Sequence, residues 1–179
     1  SAERIRLPSG VSGAGTLAWA PIWSPGRCYM LQSDFAYMIS PRMFERFVLP
    51  HLKRLVDLGH DYGLKVQMHC CGGFEPLIPD LVEIGLDALH AIQCTCHGMD
   101  LQTLKSTYGS KMVFNGGIDS HHVLIDGTPE SVRESTREVL EIMMPGGGYA
   151  VSPTHQIQDN SPTENVIAMY QVGAEFGTY

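Results

Sequence analysis

From residue 28 onward, short apolar runs and helix-patterned stretches take turns without interruption, and that alternation restricts the fold more than any other property of the chain. Residues 28–32, 65–69, 88–92, 112–114 and 149–151 each have the length and apolar content of a buried strand. Between them, apolar residues recur at spacings of three and four, as in Phe44, Phe47, Val48, Leu52, Leu55 and Val56. Strict strand–helix alternation implies an α/β fold with a parallel sheet, because each crossover helix returns the chain to the same edge. Two architectures satisfy it, a closed barrel and an open doubly wound sheet. The first strand is not followed by G-x-G-x-x-G, which weakens the dinucleotide-binding version of the open sheet.

Element boundaries are marked by caps and breakers. Ser40-Pro41 predicts a helix start, serine as N-cap and proline at the first helical position. Pro50 is expected to bend that helix rather than end it, and Gly63 to close it. A helix over 75–84 ends at Gly85, and one over 100–108 at Gly109. Thr128-Pro129 starts a helix to about Met144, broken by Pro145-Gly146-Gly147-Gly148. Ser161-Pro162-Thr163-Glu164 reads as a capping box launching the last helix to about Phe176. Residues 1–27 carry Pro8-Ser9-Gly10, Gly13-Ala14-Gly15 and Ser24-Pro25-Gly26, and read as an irregular N-terminal segment before a folded unit over 28–179.

Composition narrows the function classes. With 179 residues, 44% of them hydrophobic, the chain can bury one sizeable core. A net charge of −7 with only 12 Lys+Arg argues against a nucleic-acid footprint. No run approaches the ~18 apolar residues of a membrane span, and the N-terminus lacks a basic-then-apolar signal pattern. Five cysteines, an odd number mostly on or beside strands, suit reduced thiols and hence a cytoplasmic setting better than a disulfide framework.

Every strand is followed by groups capable of chemistry: Ser33-Asp34, His69 to Cys71, Cys94 to His97, Asn115 to Asp119, and Ser152 to His155. Such a collar is what the C-terminal rim of a (β/α)8 barrel looks like, although about five βα units fall short of the eight a full barrel needs. The expectation is therefore a partial barrel, completed by a missing N-terminal half or by a homo-oligomer. The richest strand end is His69-Cys70-Cys71-Gly72-Gly73. Side chains alternate along a strand, so His69 and Cys71 share one side while Cys70 points into the core. An imidazole and a thiolate so placed can enter one metal shell, and zinc accepts both.

Several of these motifs together carry a resemblance. Gln32-Ser33-Asp34-Phe35-Ala36-Tyr37-Met38-Ile39-Ser40-Pro41, Phe47-Val48-Leu49-Pro50, His69-Cys70-Cys71-Gly72 and Pro76-Leu77-Ile78-Pro79-Asp80-Leu81 belong to the set. So do Gly98-Met99-Asp100, Gly116-Gly117-Ile118-Asp119, Pro145-Gly146-Gly147-Gly148-Tyr149, Ser152-Pro153-Thr154-His155 and Pro162-Thr163-Glu164-Asn165. In this order, from about residue 28 onward, the chain resembles the uroporphyrinogen decarboxylase superfamily. The resemblance implies the C-terminal part of a (β/α)8 TIM barrel.

One branch of that superfamily decarboxylates porphyrinogen acetates without a metal. The other holds zinc through a His-x-Cys strand end plus a later Cys or His, and transfers methyl groups to or from cobalamin. His69-Cys70-Cys71 matches the second pattern, and His155 stands where the third ligand falls by resemblance, in place of the more familiar cysteine. Decarboxylases place a substrate-contacting histidine in the equivalent loop, so His155 is also a candidate catalytic residue. Asp34 occupies a strand end where decarboxylases carry a substrate-binding residue, and is a candidate base, ligand or cap. Cys94 and Cys96 would share a face on an extended segment and are secondary candidates for a closed, structural zinc site.

The expected function is zinc-dependent methyl transfer between a corrinoid and a small thiol, with a corrinoid protein as possible partner. Metal-free decarboxylation, with Asp34 and His155 positioning substrate, is the alternative. A non-catalytic, metal-stabilised partial barrel is the third. Asp119 reads as structural and His121-His122 as solvated.

Overall fold

Five strands hydrogen-bond side by side, all parallel, in the order in which they occur along the chain. They are β1 (Cys28–Gln32), β2 (Lys65–His69), β3 (Ala88–Ile92), β4 (Val113–Ile118) and β5 (Tyr149–Pro153). This computed structural model describes residues 28–32, as backbone, and residues 39–177. Asp34 and the segment 1–27 lie outside the described residues.

Sequential strand order decides between the two architectures. A doubly wound sheet reverses its order partway, at the crevice where ligands bind, whereas a barrel adds each strand beyond the last. An unbroken β1-β2-β3-β4-β5 order is an arc of a barrel.

Register follows from the pleat. Met68, Leu89, Phe114 and Tyr149 lie in one row across the sheet, all buried. One residue further along, His69, His90 and Asn115 form a row on the opposite face. The apolar face carries the core, in which Val66, Leu89, Ile92, Phe114 and Ile118 are fully buried against Val56, Leu81, Leu104 and Met143 of the helices. Each such side chain contributes about 1.5–3 kcal/mol by leaving water.

The helices are α1 (Pro41–Phe47), α2 (Leu49–Asp61), α3 (Ile78–Glu83), α4 (Leu101–Tyr108), α5 (Pro129–Met143) and α6 (Thr163–Phe176). Ser40 caps α1 by accepting from the Met43 N–H, Asp100 caps α4 by accepting from Thr103, and Thr128 with Ser131 forms a capping box at α5. Gly63, at φ 67°, ends α2. Its N–H donates to the His60 carbonyl and the Leu64 N–H to that of Gly59, the paired bonds of a Schellman motif.

Four boundaries differ from expectation. Pro50 does not simply bend one helix; α1 stops at Phe47 and α2 restarts after Val48. Proline has no N–H for the Arg46 carbonyl and its ring crowds that oxygen, so it settles in the first turn of the second helix, where neither matters. The helix over 75–84 opens as a 3-10 turn, Glu75–Leu77, before α3. β4 runs on through Gly116 and Gly117 to Ile118, because pairing with β5 supplies the bonds that low strand propensity does not. The capping box at Ser161 does not form: Pro162 occupies the cap position and the Ser161 hydroxyl is buried. His121 and His122, read from the sequence as solvated, sit on a π-helical turn, Ser120–Ile125, capped by Asp119, whose carboxylate accepts from the His121 and His122 N–H groups.

No helix among the described residues is long and apolar enough to cross a membrane.

Candidate metal centre at the strand ends

Three side chains converge where β2 and β5 end. His69 closes β2 and is 6% exposed, so its imidazole is held by packing as well as by backbone. Cys71, half-buried, follows two residues later, and its Sγ lies 3.2 Å from His69 Nε2. Gly72, at φ 96°, then turns the chain away, a conformation open to glycine at little cost. His155, exposed, comes from the loop after β5, and its ring meets that of His69 edge-on at 5.7 Å between centroids. The nearest donor atoms of His69, Cys71 and His155 all lie within 4.8 Å of one another. Cys70 projects away from them into the core at 2% exposure.

The loop bearing His155 is anchored from below. The His155 N–H donates to the Ser120 hydroxyl at 3.1 Å, and the Thr154 N–H to the Ile118 carbonyl at 2.8 Å.

His90 is the residue that sequence reasoning missed. Its Nδ1 lies 2.7 Å from His69 Nδ1, with the rings 4.8 Å apart. Burial first, and then the neighbouring imidazoles of His69 and His155, hold its pKa down to about 4, so His90 is neutral at physiological pH. The signal was a lone polar residue in the apolar strand Ala88–Ile92, on the face that register shares with His69. Beyond it the same face continues as a polar row. The Asn115 amide donates to Gln67 Oε1 at 3.4 Å, and the Ser152 hydroxyl donates to Asn115 Oδ1 at 2.5 Å. Gln67 is only 3% exposed.

Cys94 and Cys96 do not join the three-residue group among the described residues. The Cys94 thiol donates to the Gly117 carbonyl at 3.5 Å. Burial, and after it the Asp119 carboxylate, push its pKa up, and burial does the same to Cys96. None of Cys70, Cys71, Cys94 and Cys96 is in a disulfide. His121 and His122 are exposed on the π-helical turn. A cavity of about 350 Å³ lined by Asp87, Lys111 and Met112 sits at the opposite, amino-terminal ends of the strands. In barrels that end serves stability and the carboxyl ends carry the chemistry, so the cavity is no rival to the histidine–cysteine cluster.

Comparison with known proteins agrees with this layout. A family model described as uroporphyrinogen decarboxylase (URO-D) matches residues 26–176. The chain is 24% identical over 165 residues to a methylcobamide:CoM methyltransferase, MtbA, of Methanosarcina acetivorans, an alignment covering 92% of this chain and 43% of the relative. It is also 24% identical over 165 residues to a uroporphyrinogen decarboxylase of Pseudoalteromonas translucida, covering 88% of this chain and 44% of that protein. A solved structure of a methyltransferase from Methanosarcina mazei superimposes with a TM-score of 0.70 at 20% identity, over 85% of this chain and 43% of the other. The fold is thus part of a TIM barrel of this type, and the chain spans less than half the length of the relatives it matches.

Proposed function

The chain belongs to the uroporphyrinogen decarboxylase family, and on that footing we propose that it is a zinc-dependent methyltransferase, moving a methyl group between a corrinoid and a small thiol. The observation that carries this reading is the approach of the His69, Cys71 and His155 donor atoms to within 4.8 Å at a barrel rim. Two relatives named methylcobamide:CoM methyltransferase support the choice of reactants.

The donor set fits zinc. Two imidazoles and a thiolate match its borderline-soft preference, and three protein ligands leave one position for substrate. Tetrahedral zinc with bonds of about 2.0–2.3 Å needs donors about 3.3–3.6 Å apart. The Cys71–His69 pair stands at 3.2 Å, and the exposed His155 side chain closes the remainder by a rotamer change.

Bound there, zinc supplies a Lewis acid that holds a substrate thiol as its thiolate near neutral pH. The chain does the rest. His69 at the end of β2 and Cys71 just beyond it hold two donors, His155 closes the shell from the loop after β5, and Gln67, Asn115 and Ser152 offer polar atoms on the same face to orient a substrate. Asp34, at the first strand end, is assigned a substrate contact. In the transfer, the thiolate sulfur bonds to the methyl carbon as the carbon–cobalt bond breaks, and the electron pair stays with cobalt. A corrinoid protein is the partner this reaction calls for.

Elemental analysis of the purified protein, repeated on His69→Ala and Cys71→Ser, tests the site. Zinc is expected to fall sharply in both, together with methyl transfer from methylcobalamin to a small thiol; undiminished zinc in both variants removes the proposal. Likeness to a uroporphyrinogen decarboxylase favours a second reading, metal-free decarboxylation with Asp34 and His155 positioning the acid. It requires carbon dioxide release from protein that carries no zinc.

A further inference from the structure

We propose that His90 is the positioning residue of the metal centre: by accepting the Nδ1 proton of His69 it fixes the tautomer that turns the His69 Nε2 lone pair toward Cys71. The inference rests on the reading of His69 and Cys71 as ligands and adds a role for a side chain outside that set.

The geometry leaves few choices. A neutral imidazole has one N–H and one lone pair. Two Nδ1 atoms 2.7 Å apart must therefore share one proton, carried by one ring and accepted by the other. If His90 carried it, the proton of neutral His69 would sit on Nε2, the nitrogen 3.2 Å from Cys71 Sγ, and block metal at the point where the two donors meet. If His69 carries it, Nε2 presents its lone pair beside the sulfur. His90 then accepts on Nδ1 and keeps its own proton on Nε2. A metal-ligating histidine that gives its second N–H to a fixed acceptor is oriented and made more basic by it.

His90 is built for constancy in this task. It is the direct register partner of His69 on the adjacent strand. The ladder continues past it, the Cys70 N–H donating to the His90 carbonyl at 2.6 Å, so two backbones set the distance between the rings. His90 is not among the three residues whose donor atoms converge, which separates orienting from ligating.

Zinc affinity, measured at pH 7 by competition with a chromophoric chelator, tests the assignment on the full chain and on His90→Leu, His90→Asn and His69→Ala. His90→Leu removes the acceptor and is expected to weaken zinc about 10–100-fold while one zinc per chain still binds at saturation. His90→Asn, whose side-chain carbonyl can accept the same proton, restores most of that loss. X-ray absorption at the zinc edge should count the same nitrogen and sulfur donors in His90→Asn as in the unsubstituted protein.

Unchanged affinity in His90→Leu overturns the proposal, and so does a missing nitrogen donor in His90→Asn, which would make His90 a ligand. Zinc held unchanged by His69→Ala instead removes the site itself. Should His90→Leu not fold, nitrogen-15 tautomer measurements on the zinc-loaded unsubstituted protein decide. His69 bound through Nε2 with Nδ1 protonated upholds the assignment, whereas binding through Nδ1, or a proton on His90 Nδ1, ends it.

Discussion

The hydroxyls of Ser120 and Thr154 lie 3.1 Å apart in the interior, joining the π-helical turn after β4 to the loop after β5. The Ser120 N–H also donates to Thr154 Oγ1 at 3.1 Å, while Ser120 Oγ accepts from the His155 N–H. The backbone of the one exposed candidate ligand is thus set by a two-hydroxyl clasp rather than by its own side chain. Ser120→Ala strips an acceptor from the His155 amide and a partner from Thr154. It is expected to cost about 1–3 kcal/mol, seen as a melting temperature lower by about 2–4 °C per kcal/mol in a domain of this size. Zinc affinity should fall with it, because a looser loop must be ordered on binding. A drop in melting temperature with no change in affinity would separate His155 from the metal.

Gly116 is expected to tolerate no side chain. At φ 130° it occupies backbone space that L residues rarely enter, and a Cβ there would stand 2.5 Å from the Ile92 amide nitrogen. The obstacle is backbone on a neighbouring strand, so no rotamer change relieves it. The Gly116 carbonyl also accepts from the buried Tyr149 hydroxyl at 2.6 Å, tying β4 to β5. Gly116→Ala should destabilise by more than about 3 kcal/mol, at the high end for single substitutions, with denaturant unfolding as the measurement. By contrast Gly146→Ala, which meets nothing within 4 Å and carries only the cost of φ 78°, should stay near about 1 kcal/mol.

Asp87 supplies an acid-sensitive contribution at the opposite end of the sheet. Burial would raise its pKa, but the Lys65 ammonium, the Val66 N–H and His60 together outweigh burial and hold it below its ordinary 3.8. The contacts are short: Lys65 Nζ at 2.7 Å from Oδ1, with Val66 N at 2.9 Å and His60 Nε2 at 2.7 Å from Oδ2. A carboxylate whose folded-state pKa is depressed stabilises the fold above its unfolded value, and that contribution is lost as pH falls through the folded one. Asp87→Asn should therefore cost about 1–2 kcal/mol at pH 7, and the gap to the unsubstituted protein should narrow as pH drops below 3.8. A gap that stays constant from pH 7 to the acid end would mean the contacts contribute through shape rather than charge.

What could be read in advance was whatever depends on near neighbours along the chain. The strand and helix order, the Ser40 and Thr128 helix starts and the Gly63 stop are set within a few residues, and all stand in the structure. His69 and Cys71 were legible for the same reason, being two apart on one strand end. His90 was not, because its significance lies in register between strands 21 residues apart, which no local pattern encodes. The Ser161 box failed for a related cause: the motif is correct in type, but the serine hydroxyl is turned into the interior. Gly116 and Gly117 lie past the strand read from sequence and are strand in fact, since pairing with β5, and of Gly116 with Ile92 of β3, makes an extended glycine pair worth holding.

Asn165 extends that lesson to a motif whose role sequence left blank. It lies in the first turn of α6 at 1% exposure, and its side-chain amide donates to the Leu124 carbonyl at 3.0 Å and the Gly127 carbonyl at 2.8 Å. The Leu124 carbonyl lies within the π-helical turn and the Gly127 carbonyl just after it, and the first of the two is buried. A single amide thus seals the turn that carries Ser120, and through Ser120 the loop that carries His155. Asn165→Ala should cost about 2–4 kcal/mol, two bonds lost with the Leu124 carbonyl left in the interior. Asn165→Asp should be at least as damaging, because a carboxylate offers those carbonyls no donor and places a charge among them. Hydrogen exchange gives the sharper measurement: faster exchange of the Leu124 and His155 amides, with the amides of α2 unchanged, would locate the loss in this clasp, whereas uniform acceleration across the chain would show Asn165 acting only on global stability.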